Sequence, residues 1–263
     1  MNAPAPQLLQ LDVAQFNTSE GLVDHIRASM LRGLPELVPA FLSHDGTIVL
    51  CGSGPTLANF AEEIRAEKAK GRPIVAIKGA HDWLVDQGIE PDLYVTLDPR
   101  DRRNTVQRAT ENTVYMIASR CPPSMFDHLK DRRVIIWHSY SSEEELRYFK
   151  GSGRELIGGG STSGLRAMNI GYLLGFRKFV LYGFDSCNTG TQKRIDGSQT
   201  GKTIDIFVGG PNGPKFTCNL SMAQQAKDFQ MAYTYLPDIT VESHGDGLIT
   251  AILAERRARG VRA

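Results

Sequence analysis

The sequence has few of the features that mark secreted, membrane-bound or nucleic-acid-coating proteins. Its 263 residues include four cysteines and two tryptophans, and 30 Lys+Arg against 29 Asp+Glu leave a formal net charge of +1. A nearly neutral chain lacks the positive field that attracts nucleic acids or anionic membranes. No apolar run approaches the roughly 20 residues that cross a bilayer. We therefore expect neither a membrane nor a nucleic-acid partner.

The cysteines are too far apart to indicate a metal site or a disulfide framework. The four are Cys51, Cys121, Cys187 and Cys218, and no two of them form a Cys-x-x-Cys motif. Residues 1–11 combine neither a basic stretch nor an apolar core, so we expect no signal peptide. Reduced, buried thiols and a cytoplasmic location are the expectation.

The first 44 residues differ in pattern from the rest of the chain. Met1–Ser19 has prolines and little periodicity, which predicts a loose arm. Apolar residues at helical spacing then run from Leu22 to Phe41 and are interrupted at Gly33-Leu34-Pro35. We expect two short helices here, which serve either as a cap or as a dimer face. The sequence therefore leaves open whether the protein forms a homo-oligomer.

From residue 45 onward, short apolar runs alternate with amphipathic segments. The runs occupy residues 47–51, 74–77, 93–97, 114–118, 134–137 and 179–182. Continuous apolar runs of this length are typical of parallel strands buried on both faces. We predict an α/β domain over residues 45–263, Rossmann-like and doubly wound, with a mostly parallel sheet and helices on both faces.

Residues 186–214 interrupt this alternation with many glycines and polar side chains. Long irregular segments inside a domain are often functional, so one interpretation is a substrate lid. The other is a surface hairpin in which residues 204–208 pair with residues 215–218. The sequence leaves both open.

A glycine turn follows the first predicted strand and precedes a helical segment. Its residues are Gly52, Ser53, Gly54, Pro55 and Thr56. Glycines allow a sharp turn and close approach of a ligand to the backbone, and a helix N-terminus favours an anion such as phosphate. Leu57 stands where a dinucleotide fingerprint has its third glycine, which argues against an NAD(P)-dependent oxidoreductase. A purely structural turn is the alternative.

A second glycine-rich segment lies between another predicted strand end and a helix. Besides Gly158, it contains Gly159, Gly160, Ser161, Thr162, Ser163 and Gly164. Ser161 or Thr162 suits a helix cap, but three successive glycines exceed what capping needs. Two amide-rich turns at one sheet favour a diphosphate or a nucleotide-sugar as the ligand.

Polar residues complete the same rim of the predicted sheet. Asp98 and Asp185 each end an apolar strand, where a carboxylate can bind Mg²⁺ or orient an acceptor hydroxyl. The alternative is a local role, since Asp98 precedes a proline as a helix cap does. Lys78 follows the second strand and is expected at the nucleotide. His81 and His244 also follow strands and are candidates for proton transfer, with His244 assigned as the base.

Three of these motifs, in their order, resemble a known family. They are Gly52–Leu57, Gly88–Pro99, and Gly159-Gly160-Ser161 with the downstream segment Leu174–Asp185. Together they are similar to the MptE-like 6-hydroxymethylpterin diphosphokinase family. The same arrangement occurs in motor accessory factor proteins implicated in flagellin glycosylation, and in bacterial sialyltransferases. The resemblance covers roughly residues 47–185.

The resemblance implies a nucleotide-dependent transferase with a small-molecule donor and acceptor. In the diphosphokinase form, ATP and Mg²⁺ lie over the glycine turns, a pyrophosphoryl group passes to a hydroxymethyl acceptor, and Asp98 and Asp185 are metal or acceptor ligands. In the sialyltransferase form, a CMP-sugar contacts the two glycine segments and a histidine deprotonates the acceptor. Sialyltransferases have Asn where this chain has Asp98, so the diphosphokinase form is placed first. A glycosyltransferase and a catalytically silent nucleotide-binding protein are the alternatives.

Overall fold

The computed structural model describes residues 21–40, 42–188, 203–236 and 238–261. The strands along this part of the chain are β1 (Thr47–Cys51), β2 (Ile74–Ile77), β3 (Leu93–Thr96), β4 (Val114–Ala118), β5 (Arg133–Ser139), β6 (Leu156–Ile157), β7 (Lys178–Tyr182), β8 (Thr203–Phe207), β9 (Lys215–Asn219) and β10 (Thr240–Ser243). The α-helices are α1 (Leu22–Met30), α2 (Ala61–Ala69), α3 (Ala80–Asp86), α4 (Pro123–His128), α5 (Glu143–Phe149), α6 (Ser163–Leu173), α7 (Leu220–Tyr235) and α8 (Leu248–Ala258). Short 3₁₀ helices occupy Pro55–Asn59 and Arg103–Thr105.

Eight strands form one parallel sheet in the order β10-β7-β1-β2-β3-β4-β5-β6. Every pairing in it is parallel. The chain builds outward from β1 to β6 and then returns to place β7 on the other side of β1. The predicted doubly wound, mostly parallel α/β fold is confirmed, with its switch point between β1 and β7.

The strands form where the sequence offers runs that are apolar on both faces. All four residues of β2 are buried, as are the last four of β1 and of β7. These strands contribute to one continuous apolar core that also includes residues of α6 and α8. Burial on both faces is what a sheet covered by helices on each side requires.

The N-terminal segment contains one of the two expected helices. Helix α1 packs against α4 and α5, but the prediction of a second helix is wrong for residues 34–40, which are extended. Instead, the amide of Leu37 donates to the carbonyl of Ile136, and the amide of Ile136 donates to Pro35. Pro35 and Pro39 disfavour a helix. The extended chain instead forms a parallel bridge between Glu36 and Ile136, on the part of β5 that precedes the residues paired with β6. The arm Met1–Ser19 lies outside the described residues.

Part of the glycine-rich segment 186–214 forms a hairpin. Strands β8 and β9 pair antiparallel, with Thr203 opposite Asn219 and Phe207 opposite Lys215. This pairing agrees with the hairpin interpretation for residues 203–214, the second half of the segment. Residues 189–202, where the lid was the other interpretation, lie outside the described residues.

Candidate functional site

The turns that follow β1 and β7 lie against each other at the switch point. The amide of Gly54 donates to the carbonyl of Gly183 at 2.9 Å. A Cβ on Gly52 would lie 2.5 Å from that same carbonyl oxygen, and Gly183 has φ +65°. Glycine is required at both positions because the two backbones approach closely. The first predicted turn is thus fixed by the loop that leads to Asp185.

Asp185 accepts hydrogen bonds from the first turn of the 3₁₀ helix Pro55–Asn59. Its carboxylate accepts from the amide of Thr56 at 2.9 Å and from the Thr56 hydroxyl at 2.5 Å. Asp185 is 2% exposed. Burial raises the pKa of Asp185, against the two Thr56 hydrogen bonds that lower it. The amide of Thr56 is therefore already bonded to a carboxylate, while Ser53 and Gly54 remain half-buried at the surface of the turn.

Asp98 lies at the end of β3 among three cationic side chains. Its carboxylate accepts from Lys78 Nζ at 2.9 Å, from Arg100 Nε and Nη2 at 2.8 and 2.9 Å, and from Arg102 Nε at 3.0 Å. The Asp98 side chain is 3% exposed, whereas that of Arg100 is 69% exposed. Burial raises the pKa of Asp98, but Arg100 and Lys78 outweigh it and hold that pKa far below its ordinary value. We call Lys78, Asp98, Arg100 and Arg102 the cationic cluster.

The cationic cluster carries one negative and three positive charges, so its net charge is 3 − 1 = +2. Strand β2, which leads to Lys78, and β3, which leads to Asp98, directly follow β1 in the sheet order. Because parallel strands end at the same edge, the cluster and the glycine turn lie on adjacent strand ends. This arrangement suits an anionic ligand.

Helix α6 begins at the same edge. The Ser163 hydroxyl accepts from the amide of Leu97, after β3, at 3.3 Å. A Cβ on Gly164 would lie 2.9 Å from the ring of Phe184, after β7. Thr162 is the N-cap, accepting from the amide of Leu165. The start of α6 therefore lies between the ends of β3 and β7, and the structure brings the two glycine segments to one edge.

The glycine-rich segment before α6 is held in place by side chains of α6 and α7. The Asn169 side chain donates to the carbonyl of Gly159 at 3.1 Å, and Gly160 has φ +108° against Leu165. The amide of Ser161 donates to the Asp228 carboxylate of α7 at 2.9 Å. As at Thr56, an amide of the predicted phosphate-binding segment is bonded to a carboxylate of the chain itself.

A buried ionic cluster lies beneath this segment. Arg120 and Glu145, each 1% exposed at the side chain, form an ion pair at 3.2 Å. Arg166 of α6 donates to the carbonyls of Ile157 and Tyr140. Burial lowers the pKa of Arg166 to about 10, which leaves it charged at neutral pH. These contacts fix α6 to the end of β6 and to the loop after β5.

The two histidines expected at the rim have different environments. His244 follows β10, stacks on Tyr182 with ring centroids 4.5 Å apart, and contacts Glu242 at 3.0 Å. Its side chain is 29% exposed. His81 is fully buried and contacts Asp82 and Tyr115, so it does not lie at an accessible edge. Its polar neighbours satisfy it inside the core.

Two residues of the cationic cluster, Arg100 and Arg102, were missed as site residues in the sequence. Both lie in the charged run Asp98-Pro99-Arg100-Asp101-Arg102-Arg103. The density of charge directly after a buried strand is the signal that could have identified them. Which arginines turn back onto Asp98 depends on the loop geometry.

Neither of the two predicted metal ligands offers a free carboxylate in this arrangement. Asp98 accepts from three cations, and Asp185 accepts from Thr56. The described ranges contain no group of three or more His, Cys, Asp or Glu residues placed to hold a metal ion. As arranged, the residues do not fit Mg²⁺, and we derive no reaction step through it.

The switch point, the two glycine segments and the cationic cluster define a Rossmann-like α/β protein whose polar groups meet at one strand-end edge. Residues 25–191 match the family model described as "6-hydroxymethylpterin diphosphokinase MptE-like". The match spans more than half of the chain, and the protein belongs to this MptE-like family. A comparison with curated proteins gave no match.

The fold is shared with solved structures. One of them is the MAf glycosyltransferase from Magnetospirillum magneticum AMB-1, with a TM-score of 0.67 and 16% sequence identity. The similarity covers 90% of this chain and 42% of that protein, so this chain spans less than half of its solved neighbour. Within the described residues, no helix is long and apolar enough to cross a membrane.

Proposed function

We propose that this protein is a nucleotide-dependent transferase, with ATP as donor and a hydroxymethyl-pterin-like alcohol as acceptor. Membership of the MptE-like family supports the reaction type. The observation that carries the proposal is the cationic cluster beside the glycine turn Gly52–Thr56 and the start of α6. The cluster offers fixed positive charge to a donor phosphate chain, at the edge of the sheet where the two glycine segments meet.

The cationic cluster is suited to a diphosphate because it is positive but internally held. Lys78 and Arg100 are bonded to Asp98, so their positions are fixed before a ligand arrives. Fixed charges cost little reorganisation when negative charge develops on a transferring phosphoryl group. Phosphoryl transfer depends mainly on such positioning and charge neutralisation.

In the proposed reaction, the acceptor hydroxyl oxygen forms a bond to the β-phosphorus of ATP. The bond between that phosphorus and the oxygen bridging to the α-phosphate breaks, and AMP leaves. The hydroxyl proton goes to a base, for which we propose His244. Asp98 and Asp185 are not free to bind Mg²⁺ as arranged, so Mg²⁺ dependence is a proposal that rests on the family resemblance alone, and titration with and without the ion tests it.

A glycosyltransferase using a CMP-sugar or another nucleotide-sugar is the second candidate. It is favoured by the fold shared with the MAf glycosyltransferase and by a cluster richer in cations than in free carboxylates. There, the acceptor oxygen would bond to the anomeric carbon, and the nucleotide would leave with the electrons of the broken C–O bond. A silent nucleotide-binding protein would bind the donor without turnover.

Calorimetric titration with ATP, with and without Mg²⁺, and with CMP- and UDP-sugars separates the two transferases, and an assay for nucleotide released in the presence of acceptor separates both from the silent protein. ATP binding supports the diphosphokinase, and binding of a nucleotide-sugar alone supports the glycosyltransferase. Lys78→Gln should weaken donor binding about ten-fold, because it removes one charge-assisted contact. Lys130→Gln, an exposed lysine after α4, is the matched control. If no nucleotide binds, the proposed function is wrong.

A further inference from the structure

A carboxylate of α7 occupies an exposed amide of the glycine-rich segment before α6. Asp228 accepts from the amide of Ser161 at 2.9 Å, and its other carboxylate oxygen accepts from the side chain of Gln224 at 2.6 Å. Ser161 is exposed and Asp228 is half-buried, whereas Asp185, the carboxylate at the other glycine turn, is 2% exposed. Water can replace a partner at the surface, so Asp228 leaves its amide more easily than Asp185 does.

The buried ionic cluster beneath this segment has an excess of positive charge. Arg120 and Arg166 carry two positive charges and Glu145 carries one negative charge, which leaves 2 − 1 = +1. Arg166 is 4% exposed, and its Nε has no hydrogen-bond partner among the described residues. Its guanidinium lies against the segment, since a Cβ on Gly158 would be 3.9 Å from Nη1. A buried cation with an unsatisfied donor favours an anion on the segment next to it.

Asp228 supplies that anion in the structure. Burial lowers the pKa of Arg166 to about 10, and the negative charges of Glu145 and Asp228 oppose that change. Asp228 therefore interacts with a buried guanidinium as well as with the amide of Ser161. A phosphate at the same place would make the same two kinds of interaction, with a backbone amide and with a cation.

This place adjoins the cationic cluster. The hydroxyl of Ser163 accepts from the amide of Leu97 at 3.3 Å, and Leu97 directly precedes Asp98. The segment that contains Ser161 leads directly into this first turn of α6. A phosphate chain held by the cationic cluster can therefore extend to the start of α6.

We infer that Asp228 occupies a phosphate position of the donor site, and that a phosphate group of the donor displaces it on binding. The inference rests on the proposed function, because it needs a phosphate-bearing donor at this edge of the sheet. Asp228 is then an autoinhibitory contact. It lowers the affinity for the donor, because only the fraction of molecules in which Asp228 has left Ser161 can bind the displacing phosphate.

The test is a calorimetric titration of the whole protein with ATP, compared with an Asp228→Asn variant. Asp228→Asn should tighten ATP binding about five-fold, because a neutral amide competes less well for Ser161 and leaves Arg166 without its balancing charge. The same variant should unfold at a lower urea concentration, since it loses a charge-assisted contact. A purely structural role would lower both affinity and stability. Adenosine, which has no phosphate, should bind both proteins equally.

Asp205→Asn is the matched control, because it removes one carboxylate from the neighbouring hairpin strand β8, where Asp205 pairs with Lys215. It should leave ATP affinity within about two-fold of the unmodified protein. Equal tightening in the two variants would overturn the inference, because net charge alone would then explain it.

ATP binding that Asp228→Asn leaves unchanged or weakens would also overturn the inference, and the proposed function would stand because ATP still binds. Tightening of adenosine binding to the same degree as ATP would show that no phosphate position is involved. If ATP binds to neither protein, the inference is overturned together with the diphosphokinase form of the proposed function.

Discussion

Asp98 is a buried carboxylate whose charge holds three cationic side chains together. Its four hydrogen bonds to the side chains of Lys78, Arg100 and Arg102 place two guanidinium groups and an ammonium at one strand end. Without that carboxylate, the cations would repel one another. The residue thus acts as an internal counter-ion that makes a compact positive site possible.

Replacing Asp98 with Asn should lower the free energy of unfolding by about 3 kcal/mol at pH 7, because the cations lose their buried partner. The folded pKa of Asp98 lies far below the unfolded value of about 3.9, so its carboxylate stabilises the native state above that pH. That contribution declines as the pH falls toward the folded pKa. Urea unfolding of both proteins from pH 7 to pH 3 measures the difference.

Asp101→Asn is the control for Asp98→Asn, since Asp101 pairs with Arg103 at the exposed surface. It should change stability by less than about 1 kcal/mol, as exposed ion pairs do. An Asp98→Asn protein that keeps the same pH dependence as the unmodified protein would show that Asp98 is not this counter-ion.

Thr56 donates two hydrogen bonds to the buried carboxylate of Asp185, one from its amide and one from its hydroxyl. Thr56→Val keeps the shape but removes the hydroxyl donor, so a buried acceptor loses one partner. The expected loss is about 2 kcal/mol in the free energy of unfolding. Thr56→Ser keeps the hydroxyl and should lose less than half as much. Equal losses in the two variants, measured by chemical denaturation, would contradict this role of the hydroxyl.

Some residue positions could be predicted from the sequence and others could not. The position of Asp98, Asp185 and Lys78 at one edge could be predicted, because each follows an apolar run and strand ends share one edge in a parallel sheet. The contact between Asp185 and Thr56 spans 129 positions and depends on how two loops pack. No local pattern encodes such a contact, and the same holds for Asp228 at Ser161.

Helix α6 is the element that connects the far edge of the sheet to the switch point. Its first turn lies at the end of β3 and against Phe184 after β7. The glycines that precede it set the direction of entry, and Gly160 has φ +108°, a conformation that side-chain-bearing residues rarely adopt. The segment before α6 is therefore fixed by its backbone geometry.

Gly160→Ala should lower the free energy of unfolding by about 2 kcal/mol, because the new Cβ would be strained and would lie 2.5 Å from Leu165 Cδ1. Donor binding should weaken with it, since the start of α6 would shift. Gly158→Ala is the matched control, as its Cβ would meet no atom closer than 3.9 Å. Thermal unfolding and donor titration of the pair measure both effects. Equal behaviour of the two variants would contradict the assigned geometry.

At the scale of elements, the N-terminal segment shows where periodicity misleads. Leu34 and Leu37 have helical spacing with the residues of α1, yet Pro35 and Pro39 lie in an extended stretch. The stretch is stabilised by pairing with β5, a partner about 100 positions away. A sheet edge that needs a hydrogen-bond partner outweighs a weak local preference for helix.

At the scale of the whole molecule, the chain is almost neutral while the cationic cluster at its strand-end edge is positive. The net charge of +1 over 263 residues contrasts with the +2 of the cationic cluster alone. The fold class was predictable because buried parallel strands have a strong sequence pattern. The concentration of charge was not, since it depends on which loops the sheet order brings together.

This local field predicts that donor binding depends on ionic strength. Raising NaCl from about 50 to 500 mM shortens the Debye length from roughly 14 Å to 4 Å, so donor affinity should fall about ten-fold. The matching uncharged nucleoside should bind with nearly the same affinity at both salt concentrations. Lys78→Gln should show a smaller salt dependence than the unmodified protein, because it removes one of the three cations. Calorimetry at the two salt concentrations measures this, and a donor affinity indifferent to salt would contradict binding at the cationic cluster.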